Sequence, residues 1–174
     1  MPGILYIVPT PVGNLNDMTF RAVQVLKDAD LILAEDTRTS SVLLHHYDIH
    51  GKLQSHHKFN EHQTAEMIKE RILGGLNVAL ISDAGTPGIS DPGYRLIRTC
   101  ARKGVPYDVI PGASAVNVAL LMSGLSTSSF TFRGFPPRGP GALRNWFAED
   151  KDREHTLVCY ESPFRIGPTL AAAS

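Results

Sequence analysis

Short apolar runs of strand length alternate along this chain with segments whose apolar residues recur at helical spacing. That alternation is the pattern of βαβ units, in which parallel strands buried on both faces are covered by crossover helices. It predicts strands over Leu5 to Thr10, Leu31 to Glu35, Lys52 to His57, Asn77 to Ser82 and Tyr107 to Pro111. Four of these are apolar enough in their middles for burial. Lys52 to His57 carries Gln54, Ser55, His56 and His57 and reads as an edge or half-exposed strand. The expected class is therefore α/β, a mostly parallel sheet with helices on both faces.

Helix signals lie between the strands. Phe20, Ala22, Val23, Val25 and Leu26 give a first helix with a broad apolar side that ends near Ala29. A later helix opens at Asn60, a capping residue with Gln63 placed to return the hydrogen bond, stacks Ala65, Ile68 and Ile72, and stops at Gly74-Gly75. Another is expected to be capped by Asp91 with Pro92 at its first position, running through Tyr94, Ile97 and Ala101 to Gly104. After Leu125 the polar spacer Ser126-Thr127-Ser128-Ser129 suggests a boundary, giving an N-terminal α/β domain over 1–125 and the start of a second α/β domain over 126–174. Phe130 to Phe135 and Thr156 to Tyr160 read as strands, Leu143 to Glu149 as an amphipathic segment, and a last helix starts at Phe164. So few elements cannot close a second core, so that domain is very small, completed by another chain, or cut short.

Composition narrows the function classes. With 43% hydrophobic and 20% charged residues the chain is an ordinary globular protein rather than a disordered one. Its two cysteines, Cys100 and Cys159, sit far apart in apolar surroundings and read as buried free thiols in a reducing compartment. The longest apolar stretch, Ala113 to Leu125, is interrupted by Ser114, Asn117, Ser123 and Gly124 and is too short for a membrane span. Met1-Pro2-Gly3 runs into the first strand without a basic leader, so no secretory signal is expected and the cytoplasm is the expected compartment. Lysines and arginines balance aspartates and glutamates at 17 each, so nucleic acid would have to be held by a local patch. Arg21, Arg38, Lys52, Lys58, Arg133 and Arg138 are candidates for it.

Four segments could carry chemistry. Pro9-Thr10-Pro11-Val12-Gly13-Asn14 ends the first strand, where open α/β sheets place ligand crevices, or it is a stiff turn. It matches neither a dinucleotide fingerprint nor a P-loop. Ser82-Asp83-Ala84-Gly85-Thr86-Pro87-Gly88-Ile89 follows a buried strand, with glycines that allow close approach and an aspartate that accepts hydrogen bonds. Pro111-Gly112-Ala113-Ser114-Ala115 opens an apolar helix whose N-terminal amides could face a ligand, or Ser114 is a plain cap. Glu35-Asp36-Thr37-Arg38 pairs two carboxylates with a guanidinium, which could orient a nucleophile or merely tie a loop. Six of the seven histidines fall between His45 and His62. His46 and His50 could share a helix face, with His57 and His62 adding ligands, but no cysteine is near and no metal site is expected.

These strings together resemble the tetrapyrrole methylase superfamily of S-adenosyl-L-methionine (SAM) enzymes. The residues that carry the likeness are Leu5 to Asp17, Ala34 to Arg38, Ser82 to Tyr94, Pro111 to Ser114 and Tyr160-Glu-Ser-Pro-Phe-Arg165, and it spans nearly the whole chain. The resemblance implies two α/β domains with SAM in the cleft between them, and a homodimer. Members of the family are longer, and the extra length carries most of the C-terminal domain. The branch it points to methylates the 2′-hydroxyl of a cytidine in the RNA of the small ribosomal subunit. Matched position by position, Pro11, Val12, Asp83, Gly85, Thr86, Gly112, Ser114 and Ala115 would bind the cofactor. The class triplet with a central aspartate is altered here to Ser82-Asp83-Ala84. Glu35 or Asp36 would take the hydroxyl proton and Arg38 would hold a phosphate. The alternatives are a methylase of a tetrapyrrole or diphthamide precursor, and a non-catalytic module that binds RNA or a partner.

Overall fold

The computed structural model describes residues 1–57 and 61–174, without the side chains of 61–63. Five parallel strands, β1 (Leu5–Ile7), β2 (Leu31–Ala34), β3 (Leu53–Ser55), β4 (Val78–Leu80) and β5 (Tyr107–Val109), form one sheet in the order β3-β2-β4-β1-β5. Each lies within an expected strand and is shorter than it, because the remaining residues leave the ladder for the loops. Helices α1 (Phe20–Asp28), α2 (Thr37–His46), α3 (Glu61–Leu73) and α4 (Tyr94–Lys103) connect them.

The two faces of the sheet bury different sets of side chains, which is why β2 is apolar at every position. Leu31 and Leu33 of β2, with Leu5, Ile7, Val78 and Leu80, pack on Ile68 and Ile72 of α3 and Leu96 and Cys100 of α4. Ile32 and Ala34 turn the other way, onto Ala22 and Leu26 of α1 and Leu44 of α2. Lys52 to His57 contributes the edge strand β3, whose residues are all half-buried, as expected. The expectation of a buried fifth strand fails: β5 is the opposite edge, and Tyr107 and Val109 are 43% and 49% exposed. Phe20 is also exposed, because it precedes the stripe that Ala22 and Leu26 bury.

Local signals account for most helix ends. Thr19 caps α1 by accepting the Ala22 N–H, and Asp36 caps α2 by accepting from Arg38. Gly104, at φ 67°, ends α4 with its N–H on the Cys100 carbonyl. The start of α4 differs from expectation. Its N-cap is Gly93, at φ 118°, not Asp91, because a Cβ at 93 would lie 2.6 Å from Leu80 Cδ2 and the chain can pass there only as glycine. The proposed Asn60–Gln63 cap of α3 lies outside the described residues.

Residues 1–114 and 115–174 form two compact units. The second holds α5 (Ala115–Met122), β6 (Phe130–Phe132), α6 (Pro140–Ala148), β7 (Thr156–Val158) and α7 (Ile166–Ala173), with β6 and β7 paired in parallel. The polar run at 126–129 thus separates α5 from β6 inside one unit. Cys100 is buried and Cys159 half-buried, and both are free thiols. No helix among the described residues is long and apolar enough to cross a membrane.

Candidate functional site

Strand order locates the site. β1 and β4 are neighbours, yet the chain leaves β1 through α1 on one face and β4 through α4 on the other. Loops that depart to opposite faces open a crevice at the carboxyl ends of the strands. The two loops are locked together there. Thr10 and Gly85 exchange both main-chain hydrogen bonds at 2.9 Å, and the Thr10 hydroxyl donates to the Ser82 carbonyl at 3.0 Å. The Thr86 hydroxyl donates to the Ala113 carbonyl, 3.3 Å away. Gly112 runs so close to Pro9 that a Cβ would lie 2.9 Å from the proline ring. The loops after β1, β4 and β5 therefore form one assembly.

Carboxylates gather beside it. Asp83 accepts the Asp36 N–H at 3.3 Å, joining the β4 loop to the end of β2. Asp36 also holds the Arg38 guanidinium at both oxygens, at 3.1 and 2.8 Å. The Arg38 hydrogen bonds pull the Asp36 carboxyl down to about 2. Glu35 moves the other way: partial burial raises it, helped by the charges of Asp91 and Asp83, while His57 opposes. Asp91 is pushed up to about 6, first by burial and then by Asp83. The two adjacent carboxylates thus differ: Glu35 is the more basic, and Asp36 is the ionised partner of Arg38.

A cavity of about 380 Å³ opens between the β1 loop and the first turns of α2, lined by Pro11, Asn14, Leu15, Ser40, Val42 and Asp83, among others. The Tyr47 hydroxyl donates to the Leu15 carbonyl and pins the outer wall. Ser40 is 3% exposed, and its Oγ has no hydrogen-bond partner among the described residues.

Among the expected cofactor residues, Pro11 and Asp83 line this cavity. Val12 stands 3.5 Å from the Cβ position of Gly85. Thr86 and Gly112 belong to the interlocked loops, Ser114 ends the first unit and Ala115 begins α5. Two features escaped the sequence reading. Asp91 looked like a sufficient helix cap, and its carboxylate instead joins the acidic group. Ser40 lies in α2, a helix not predicted from the sequence, although Leu43 and Leu44 mark its buried face.

Of the six candidate bases, three have acidic partners: Arg21 pairs with Asp108, Arg38 with Asp36, and Arg133 with Glu149 and Asp150. Lys58 lies outside the described residues, as does the side chain of His62. Of the other histidines, His50 pairs with Asp48 at 2.8 Å, and His56 is buried against the Thr64 hydroxyl at 3.0 Å. Among the described residues no cluster could hold a metal ion.

A five-stranded parallel sheet with carboxylates gathered beside the crevice at its switch point places the chain among the open α/β proteins. The chain belongs to the family of Tetrapyrrole (Corrin/Porphyrin) Methylases, whose model matches residues 4–173. It is 48% identical over 97% of its length to the ribosomal RNA small subunit methyltransferase I of Halalkalibacterium halodurans, and 47% identical over 96% to that of Vibrio cholerae. It spans 58% of each of those proteins. Diphthine synthase shares the fold at a TM-score of 0.73 and 17% identity, over 98% of this chain and 70% of that one.

Proposed function

We propose that the protein to which these residues belong transfers a methyl group from SAM to the 2′-hydroxyl of a cytidine in small-subunit ribosomal RNA, acting in the cytoplasm as a homodimer. The observation that carries this reading is the 48% identity, across 97% of the chain, to a relative named for that RNA. The donor set suits a cationic cofactor. Glu35, Asp83 and Asp91 repel one another, and a positively charged ligand relieves that repulsion. Pro11, Val12, Asp83, Gly85, Thr86, Gly112, Ser114 and Ala115 would hold it.

When bound, SAM supplies an electrophilic methyl carbon on a sulfonium that loses its charge as the new bond forms. The residues of this chain contribute alignment, which can be worth about 7–11 kcal/mol, and a proton acceptor. Glu35 takes the 2′-hydroxyl proton as the oxygen bonds to carbon. Asp36 orients Arg38 through Nε and Nη2, which leaves Nη1 to meet a phosphate at the rim. A nucleotide must be unstacked for its 2′-hydroxyl to reach this depth.

Calorimetric titration of S-adenosylhomocysteine into the chain and into Asp83→Ala tests the cofactor site, with saturable binding expected for the first and none for the second. Methyl transfer to small-subunit RNA followed by nucleoside analysis tests the reaction. Label found on a base, on a tetrapyrrole or nowhere would refute it, and sedimentation as a monomer would refute the dimer.

A further inference from the structure

Resting on that reading, we infer that the outer face of α4 is a docking track for the phosphodiester backbone of the single-stranded RNA that carries the target nucleotide. Helix α4 holds Arg95, Arg98, Arg102 and Lys103 and no acidic residue, in a chain whose charges balance overall. All four cations are exposed. Arg95, Arg98 and Arg102 are spaced three and four apart, so they share one helix face, and they line a groove of about 210 Å³ against Ala65 and Glu66 of α3. Glu66 is already engaged by Lys69 at 2.6 Å. Among the described residues neither Arg98 nor Arg102 has an acidic partner.

Helix stability does not account for this stripe. A helix favours cations in its last turn, which covers Arg102 and Lys103, and disfavours one in its first turn, where Arg95 stands. The groove is smaller than the roughly 300 Å³ at which small-molecule sites begin, so it suits phosphate groups rather than a whole cofactor. Guanidinium groups match phosphate oxygens in pairs, and three of them spread along about 10 Å of helix meet a run of phosphates rather than a single one. Tyr94, 58% exposed at the head of α4, shares a face with Arg98. An exposed ring beside cations gives a base a surface to stack on, which favours RNA over other polyanions. Because α4 follows the loop that carries Asp83 and Asp91, Arg95 stands at the carboxyl end of the sheet and Arg102 toward the other end. A strand laid along α4 therefore leads from the arginines past Tyr94 to the acidic crevice.

The test is binding of a fluorescent single-stranded oligonucleotide of small-subunit RNA to the chain, to Arg98→Ala/Arg102→Ala and to Tyr94→Ala over a range of salt. Lys27→Ala, at an exposed position on the opposite face, is the control, and melting temperatures are recorded for all. The double variant should keep its melting temperature and bind about tenfold more weakly, with a salt dependence flatter by about 1.4, as loss of two single-strand phosphate contacts requires. Arg98→Lys/Arg102→Lys should keep the slope, because charge sets it. Tyr94→Ala should weaken binding about fivefold with the slope unchanged. An unchanged slope in the double alanine variant, an equal loss in Lys27→Ala, or no binding of RNA to the chain overturns the track. Capture by phosphatidylserine vesicles through these arginines in place of RNA makes the partner a lipid surface and overturns it too. Methyl transfer to RNA with an unchanged KM in the double alanine variant refutes this inference alone. RNA binding that depends on Arg98 and Arg102 without methyl transfer refutes the proposed reaction and keeps the track.

Discussion

Asp83, at the carboxyl end of β4, accepts the main-chain N–H of Asp36, at the end of neighbouring β2, at 3.3 Å. One carboxylate thus fixes the spacing of two loops and sets the charge felt by Glu35 and Asp91. Asp83→Asn keeps an oxygen for the hydrogen bond and removes the charge. In that variant Asp91 should titrate below its wild-type value of about 6 and stay above an ordinary aspartate, because burial persists. Carboxyl NMR titration reads this directly, and an unmoved Asp91 would show that the two charges do not communicate.

The raised Asp91 also makes stability depend on pH. The folded protein holds that proton more tightly than the unfolded chain, whose carboxyl titrates near 3.8, so stability falls as pH rises from about 4 through about 6. Asp91→Asn removes the charge that is disfavoured above this window. After discounting for its partial exposure, the variant should be more stable by about 1 kcal/mol at pH 7.5 and little changed at pH 3.5. Urea unfolding at the two pH values decides it, and a gap that is the same at both would exclude Asp91 as the source.

Strand centres and most of the motif loops were legible because they obey local rules. The apolar middles of β1, β2 and β4 leave no alternative to burial, and Thr10, Asp83 and Gly112 sit where a parallel sheet places its ligand loops. What escaped depends on contacts distant in sequence. Gly93 rather than Asp91 starts α4 because of Leu80, thirteen positions away and in another element. Arg133 looked available for RNA until β6 and α6 brought Glu149 and Asp150 to it. Tyr107 and Val109 read as core because edge and centre strands share one apolar pattern, and only strand order separates them.

Glu35 and Asp36 are adjacent and chemically similar, yet their environments assign them different work. Glu35→Gln should lower kcat for methyl transfer by about 10²–10⁴ with little effect on S-adenosylhomocysteine affinity, as loss of a proton acceptor does. Asp36→Asn should act mainly by loosening the Arg38 guanidinium, raising KM for RNA, while the α2 cap persists because an asparagine oxygen accepts the same N–H. Steady-state kinetics of the two variants distinguish the roles. A larger kcat loss in Asp36→Asn would reverse the assignment.

Gly93 and Gly104 bracket α4, both with positive φ, and differ in what surrounds them. An added Cβ at 104 meets nothing within 4 Å, so Gly104→Ala carries only the backbone cost of about 1 kcal/mol. At 93 the same atom meets the buried Leu80 side chain at 2.6 Å, and overpacking raises the expected loss in Gly93→Ala to about 3 kcal/mol. Chemical denaturation of the pair measures the difference. Equal losses would mean that Leu80 yields without strain.

In the second unit Arg133 is held by several acceptors at once. Its guanidinium reaches Asp150 and Glu149, donates to the Trp146 carbonyl at 2.8 Å, and lies 4.4 Å from the centre of the Trp146 ring. Asp150, whose side chain is 5% exposed, is thereby held below the usual carboxylate range, foremost by that hydrogen bond. A depressed carboxyl contributes stability above its unfolded value and loses it as pH falls, the opposite sign to Asp91. Arg133→Ala should therefore lower the melting temperature at neutral pH, with a difference that shrinks as pH falls through the carboxylate range. Arg133→Lys should recover part of the loss, because one ammonium cannot serve two carboxylates and a carbonyl in the fixed geometry of the guanidinium. If Arg133 instead touched RNA, Arg133→Ala would shift the salt dependence of RNA binding and leave the melting temperature unchanged.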